Sequence, residues 1–436
     1  MTEPLPFFKQ LRAQRPILVT PECVLFSKYV DVIDLLQMPK IFTVNLYKPK
    51  MGVTATDPGY LMAHDDGAHH YREKSLMQGM LNRNDLPRIR ALIAQASWEI
   101  LDKADGSIDL VYTYCRSVLA IMVQEYFGLD GVDKKDLIEW SFWNQYDVFH
   151  NQPFDLNSPE HTQYITDNHN RVTIALGNYI KKVLLEKLAM VKLAQTKNLF
   201  LIGWRTLKAL GYFIARKKAP LMNDDVFSRM LRSSFANQIK FDLVRVGVNA
   251  GGLLIGSIET TSQAVAQVIE FFIKQPKLFA NATTAAQQTD LKAFDNMVWE
   301  ALRYVPISPY MFRQTSQTSQ TSQTSQTSQT SQAYSLAKGT DYETLIPANT
   351  NVIVLTQSAM FDNFANTDPD EFNPDGTFYH NFNFGFGPHG CLGKYVGMVM
   401  IPEMVRQVLR LPNVHAAAPI DFKNEPFPES YALLWG

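Results

Sequence analysis

The chain has 436 residues, of which 46% are hydrophobic, so it is long enough to bury a large core. Its 41 Lys and Arg residues balance 42 Asp and Glu residues, and the net charge of −1 excludes the basic excess typical of nucleic-acid-binding proteins. Three cysteines, Cys23, Cys115 and Cys391, are too few for a disulfide framework, which predicts a reducing, cytoplasmic environment.

The sequence predicts neither export nor a transmembrane anchor. Residues 1–16 carry charges and prolines where a signal peptide needs an unbroken apolar run. Residues 199–215 form the most apolar stretch elsewhere, but Arg205 and Lys208 interrupt it. That stretch is therefore predicted to be a helix that packs internally, with a pocket lid or a membrane-surface contact as alternatives.

Periodic apolar residues predict a largely helical chain. Apolar side chains recur at three- and four-residue spacing, which predicts α-helices at residues 85–104, 110–127, 161–193 and 241–274. The β-branched run at residues 350–356 predicts a short strand, and a last helix is predicted to begin near Cys391 and to kink at Pro402. The predicted fold class is mainly α with small β-sheets.

A low-complexity segment interrupts the second half of the chain. Residues 314–332 are six QTS triplets and one further Gln, with no apolar side chain to face a core. We expect a disordered surface insertion within a single domain of residues 1–436, because a long loop adds little closure entropy. Residues 362–386 are rich in Asn, Asp, Pro, Gly and Phe, which favours an irregular but packed segment.

A glycine-rich loop surrounds one thiol at residues 384–393, immediately before a helical pattern. Backbone amides in such a bend can point at a single atom, and the start of a helix favours negative charge there. The loop therefore suits a thiolate ligand at Cys391. Zinc normally needs further Cys or His ligands at short spacing, and only His389 is near, whereas a lone thiolate suits the axial position of a haem iron.

This loop resembles the haem-thiolate signature of the cytochrome P450 superfamily, F-x-x-G-x-[RH]-x-C-x-G, which is matched by Phe384, Gly387, His389, Cys391 and Gly393. The resemblance implies a soluble helical prism with haem b held between a long distal helix and the helix after the cysteine loop. It also implies that Cys391 is the axial ligand, that Phe384 packs beside it, and that His389 binds a haem propionate.

A second motif precedes the insertion. Glu300 and Arg303 are three residues apart on a predicted helix, where an acid and a base can pair. They resemble the family's E-x-x-R pair, which implies a structural ion pair bracing the cysteine loop, while Arg313 resembles an arginine that reaches a propionate. The family's arginine after Asp375 is missing, and whether His380 or another group completes the network stays open.

A third motif lies in the predicted helix 241–274, where an acid and a hydroxyl interrupt an apolar pattern. A helix kink with satisfied hydroxyl groups would explain it without any chemistry. The block also resembles the family's distal [AG]-G-x-[DE]-T-T motif, which implies that Glu259 and Thr260 relay protons and that Gly256 lines the oxygen pocket. Ser257 departs from the usual glycine.

A fourth motif, residues 66–74, resembles the family's D-x-x-x-H-x-R-x-R segment, with Lys74 in place of an arginine. The resemblance implies that His70 and Lys74 bind haem propionates together with Arg313 and His389. Two buried carboxylates need cationic or hydrogen-bonding partners, and these four side chains would supply them. A solvated charged turn is the competing interpretation.

Together the four motifs imply a monooxygenase that inserts one oxygen atom of O2 into a lipophilic small molecule. No G-x-G-x-x-G opens a helix, so the electrons are expected from a separate partner. The resemblance implies that this partner is a ferredoxin or flavodoxin with its reductase, and the enzyme is expected to be a monomer. Arg72, Lys74 and Lys394 would offer positive charge to that donor.

Two other functions stay open: a peroxide-using peroxygenase or hydroperoxide isomerase of the same superfamily, and a non-catalytic haem sensor. The Glu259 and Thr260 pair favours the monooxygenase over both. Residues 42–62, Phe312 and Leu433 are predicted to line an apolar substrate pocket, for which fatty acids or terpenoids are the first candidates.

Overall fold

The computed structural model of the chain describes residues 4–65, 67–153, 155–208, 224–316, 334–376 and 381–436, with residues 191–208 described by their backbone alone. Several predictions concern residues outside these ranges: Asp66, His380, residues 209–215 of the apolar stretch and residues 317–332 of the QTS segment. Within the described ranges, every helix is too short or too polar to cross a membrane.

Helices form most of the described chain. In chain order they are α1 (Pro4–Gln14), α2 (Tyr29–Leu36), α3 (Ala68–Met80), α4 (Leu86–Asp102), α5 (Ser117–Met122), α6 (Lys134–His150), α7 (Pro159–Lys208), α8 (Val226–Ser234), α9 (Leu243–Ile255), α10 (Ile258–Ile273), α11 (Pro276–Ala286), α12 (Leu291–Tyr304), α13 (Thr356–Met360) and α14 (Lys394–Leu409). Wide π-type turns flank α5, at Leu110–Arg116 and Val123–Phe127.

Three small sheets accompany the helices. The strands are β1 (Ile17–Val19), β2 (Val24–Phe26), β3 (Phe42–Thr43), β4 (Ser107–Asp109), β5 (Met311–Thr315), β6 (Tyr334–Leu336), β7 (Thr344–Ile346), β8 (Asn351–Val354), β9 (His415–Ala416) and β10 (Ala432–Leu434). Their orders are β1-β2-β8-β5-β3, β4-β10-β9 and β6-β7. Only the β2 and β8 pair runs parallel among these ladders.

The mainly helical fold class and the predicted elements are confirmed, with two differences. The predicted helix 241–274 is two helices, because α9 ends at Gly256 and α10 begins after Ser257. Gln314 and Thr315, assigned from their composition to a disordered insertion, instead pair with β8 and β3. The last helix, α14, contains Pro402 in its interior, and the kink expected there stays a prediction.

The largest core cluster surrounds α10. This helix packs on the 110–116 helix, on α12 and on α14, and its own Ala264, Val265 and Ile269 side chains are fully buried. Because α14 follows the cysteine loop directly, the same packing fixes that loop relative to the helix that carries the acid and hydroxyl motif.

Candidate functional site

The loop before α14 has a shape that only glycine permits at one essential position. Gly387 has φ +67, and a Cβ there would lie 2.6 Å from the Leu36 carbonyl oxygen. The Cys391 amide donates to the Phe384 carbonyl at 2.7 Å, and the Gly390 amide donates to the Gly387 carbonyl at 3.0 Å. The loop therefore closes on itself and presents Cys391 at its end.

The Cys391 residue is exposed. The protein that surrounds it nevertheless raises the pKa of its thiol through loss of solvation. A hydrogen bond from the Gly393 amide and the charges of Lys74 and Lys394 lower that pKa in opposition. A cation bound at Sγ would complete the stabilisation of the thiolate.

Phe384 packs beside this loop against two helices. Its ring edge closes on Gly397 of α14, where a Cβ would lie 2.8 Å from the ring. The Trp299 ring of α12 is 5.5 Å from the Phe384 ring, measured between centroids. The aromatic side chain thus connects the cysteine loop with α12 and α14.

His70 and Lys74 of α3 meet the same loop. The Lys74 ammonium donates to the Pro388 carbonyl and, at 2.7 Å, to the Gly390 carbonyl. His70 Nε2 lies 3.0 Å from the Pro388 carbonyl oxygen. Both side chains are buried, so the interpretation as a solvated charged turn is wrong. Lys74 was also predicted to offer positive charge to an electron donor, and its burial contradicts that prediction.

Arg313 and His389 are buried side chains with unused hydrogen-bonding capacity. Among the described residues, Arg313 makes one side-chain hydrogen bond, from Nη1 to the adjacent Phe312 carbonyl at 2.7 Å. His389 Nε2 is 3.7 Å from Asp65 Oδ1, beyond hydrogen-bond length, and has no hydrogen-bond partner there. Burial lowers the pKa of both groups, that of His389 to about 4. Buried donors of this kind indicate a place for anionic oxygens.

The α9 and α10 junction holds the acid and hydroxyl motif. The Thr260 hydroxyl donates to the Gly256 carbonyl at 3.0 Å, and the Ser257 hydroxyl donates to the Leu254 carbonyl at 3.0 Å. Gln145 of α6 donates to the Ile255 carbonyl. The helix is therefore interrupted and the Ser257 and Thr260 hydroxyls are satisfied, as the purely structural interpretation requires, but this does not explain the acid.

Glu259 is buried and paired with an arginine that the sequence motifs do not include. Its Oε2 accepts from Arg116 Nε at 3.0 Å and from Arg116 Nη2 at 2.8 Å. Arg116 Nη2 also donates to Glu429 Oε1 at 2.9 Å. Burial raises the pKa of Glu259 to about 7, although Arg116 opposes this. Glu259 Oε1 has no partner among the described residues.

The Glu300 and Arg303 ion pair is present, at 2.7 Å and 3.0 Å. Arg303 also donates to the carbonyls of Pro369 and Glu371, so it fixes the segment that leads to the cysteine loop. Glu300 Oε1 accepts from the backbone amide of Asn373 at 2.9 Å. A backbone donor thus meets Glu300 in the region where the family's arginine is missing.

The side chains predicted to line the substrate pocket lie in different parts of the structure. Phe312 lies in a cluster with Val44 and Tyr47, whereas Leu433 lies in the main core, paired with Ile108 of β4. That both line one apolar pocket with residues 42–62 stays a prediction. Of the two cysteines outside the glycine-rich loop, Cys115 is buried and Cys23 is half-buried.

Three site residues lie outside the sequence motifs: Arg116, Glu429 and Asp65. Tyr60 belongs to the segment 42–62 that was predicted to line the substrate pocket. The Tyr60 ring packs directly against Gly252 of α9, so closely that a Cβ on Gly252 would not fit. A detectable signal existed for Arg116, because a lone arginine in the apolar run 110–123 needs a buried acid as partner.

Comparisons with known proteins agree with this geometry. The family model described as Cytochrome P450 matches residues 20–424. Steroid C26-monooxygenase of Mycolicibacterium smegmatis is 20% identical over 94% of this chain and 86% of that protein. Cytochrome P450 monooxygenase gliC of Aspergillus fumigatus is 37% identical over 98 residues, a local match to 21% of this chain and 19% of that protein.

The fold has a solved counterpart as well. The structure of cytochrome P450 CYP109Q5 from Chondromyces apiculatus superposes with a TM-score of 0.72 at 19% identity, covering 99% of this chain and 95% of that one. The similarity shows that the two chains share a fold.

Proposed function

Because the chain belongs to the cytochrome P450 family, we propose that Cys391 is the axial ligand of a haem b iron in an enzyme that oxidises a lipophilic small molecule. The family match makes the chain a monooxygenase that uses haem iron and O2. The observation that carries the proposal is the exposed Cys391 residue at the end of a closed glycine loop.

The residues around the thiol fit such a cofactor. Arg313 and His389 are buried donors with unused capacity, as two propionates require. We propose that these two side chains bind the propionates directly. His70 and Lys74 already bond to the loop carbonyls, and we propose that they support the propionate site from behind the loop. Phe384, Gly387 and Gly393 shape the loop itself.

When bound, the haem supplies the reductive activation of O2 and its transfer to substrate. The chain must then deliver protons and exclude excess water. We propose that Glu259 and Thr260 deliver the protons, with Gly256 leaving room beside them. Glu259 suits this role because its pKa near neutrality lets it both hold and release a proton.

Substrate and electron donor are proposed by chemical class. Apolar side chains dominate the interior, and relatives include proteins named Steroid C26-monooxygenase, Aromatase and Cyclomarin C epoxidase. These names support a lipophilic substrate that is hydroxylated or epoxidised. We propose that the electrons come from a separate ferredoxin or flavodoxin with its reductase.

Reconstitution with a ferredoxin, its reductase and NADPH tests this function. The expected result is product formation from a lipophilic substrate panel that requires both O2 and the reduced donor. Thr260→Ala should divert reducing equivalents to peroxide, whereas Thr261→Ala, one position along α10, serves as the matched control. Turnover with peroxide alone and none with the donor would contradict the proposal in favour of a peroxygenase. Ligand binding without any turnover would instead favour a haem sensor.

A further inference from the structure

The Glu259 carboxylate belongs to a trio in which one arginine bonds to two acids; Glu259 and Arg116 are buried and Glu429 is half-buried. Arg116 is the last residue of the wide π-type helix at Leu110–Arg116, and such wide turns often occur at functional sites. Its guanidinium holds Glu259 through two hydrogen bonds and Glu429 through one, at 2.8 to 3.0 Å. The Glu429 backbone is itself fixed by a hydrogen bond to the Asp421 carbonyl at 2.9 Å.

The charges of this trio do not balance when both acids are ionised. One guanidinium and two carboxylates then carry a net charge of −1 at a site where Arg116 and Glu259 are buried, and a buried charge costs free energy because it loses solvation. Protonation of one carboxyl group restores neutrality, since the guanidinium does not lose its proton in a protein. The trio therefore titrates as a unit that readily holds one exchangeable proton.

Burial decides which acid holds that proton. The Glu259 side chain is 1% exposed, while that of Glu429 is 21% exposed. Ionisation costs more where solvation is poorer, so the exchangeable proton of the trio is placed on Glu259. The free Oε1 of Glu259 gives the proton an atom that Arg116 does not occupy.

We propose that Arg116 and Glu429 are positioning residues that set the orientation and charge of Glu259, so that it carries one transferable proton next to Thr260. This inference rests on the proposed function, because it assigns Glu259 as the proton donor. When Glu259 gives up its proton, Arg116 stabilises the carboxylate that forms, and water at the Glu429 side supplies the replacement proton.

The other groups near Glu259 do not compete for this role. Within the described part of the chain, the charges that act on its carboxyl group are those of Arg116 and Glu429. The neighbouring Cys115 thiol stays neutral, because burial raises its pKa far above the ordinary value. Two neutral side chains of α6 bond to the end of α9: the Ser141 hydroxyl donates to the Leu254 carbonyl, and Gln145 donates to the Ile255 carbonyl.

Two substitutions should move the titration of Glu259 in opposite directions. In Glu429→Gln, Arg116 has Glu259 as its only acidic partner within the trio. This favours the ionised form of Glu259, so the pH midpoint of its titration should fall. Arg116→Met removes the cation, so the midpoint should rise, by about one to three pH units. Arg116→Lys keeps the charge and should return the midpoint towards the wild-type value. These variants also separate an electrostatic role from a merely structural one.

The midpoint is measured on the haem-loaded protein from the infrared carbonyl band of a protonated carboxylic acid, identified by its loss in Glu259→Gln. The pH profile of turnover is recorded in parallel. Asp295→Asn is the matched control, since Asp295 and Glu403 share Arg90 in the same way and the Asp295 side chain is similarly exposed, at 18%. This control should leave both midpoints unchanged.

Opposite shifts with Glu429→Gln and Arg116→Met, and none with Asp295→Asn, would support the inference. Midpoints that stay fixed, or that move in the same direction in both variants, would overturn it even if the enzyme turns over normally. The predicted infrared shifts without any O2-dependent turnover would instead overturn the monooxygenase proposal. The infrared measurement thus distinguishes the failure of one proposal from the failure of the other.

Discussion

Substitution of Gly387 by alanine should destabilise the protein and disturb the thiolate site together. An alanine at φ +67 costs about 1–2 kcal/mol in backbone strain. Its Cβ would also lie 2.6 Å from the Leu36 carbonyl oxygen, and a backbone atom cannot relieve the clash by a change of rotamer. Overpacking of this kind costs about 1–3 kcal/mol. We expect a total loss of about 2–5 kcal/mol, the sum of these two costs.

Gly339→Ala separates the two contributions. Gly339 has φ +81, but a Cβ there would meet nothing within 4 Å, so only the backbone strain applies. Urea unfolding gives the free-energy loss of each variant, and the spectrum of the reduced, carbon monoxide-bound protein gives the thiolate-ligated fraction. Gly387→Ala should lose more on both measures. An equal or smaller loss than in Gly339→Ala would refute the role assigned to the close approach at Leu36.

Three further substitutions test other parts of the structure. Arg303→Met should lower the free energy of unfolding, measured in urea, by about 3 kcal/mol, because it leaves the Glu300 carboxylate without its ion-pair partner. A loss smaller than that caused by replacing an exposed arginine with methionine would contradict this. Gly397→Ala should displace Phe384 and reduce the thiolate-ligated fraction in the same carbon monoxide spectrum, whereas an unchanged spectrum would refute the contact. Burial lowers the pKa of His150 from 6.5 to about 4. As the pH falls below 6.5, the unfolded state therefore binds a proton at this residue before the folded state does, and the folded state loses stability. Wild type should therefore lose about 2 kcal/mol more than His150→Gln between pH 7 and pH 5, which equal losses would contradict.

The sequence motifs identified most of the residues that meet at the site. The spacing around Cys391 predicted a closed glycine loop, and the structure shows why Gly387 is required there. The E-x-x-R spacing predicted the Glu300 and Arg303 pair, because residues three apart share a helix face. Local spacing is sufficient for such features, since all their partners lie within one turn or one loop.

Features that depend on distant parts of the chain were not predictable in the same way. Arg116 bonds to Glu259, 143 residues away in sequence, and to Glu429, 313 residues away. The hydrogen bond from the Asn373 amide to Glu300 has no sequence signature, because every residue except proline offers such a donor. The interruption between α9 and α10, at Gly256 and Ser257, likewise depends on how the helices pack as well as on the residue types there.

Binding of a haem iron by the Cys391 thiolate is tested most directly by the difference spectrum of the dithionite-reduced, carbon monoxide-bound protein, recorded for wild type and Cys391→Ser. Wild type should show the long-wavelength Soret band from which the family takes its name, and the substitution should abolish it. A Soret band at the shorter wavelength of haem proteins with a nitrogen ligand, or the same spectrum in both proteins, would contradict the claim.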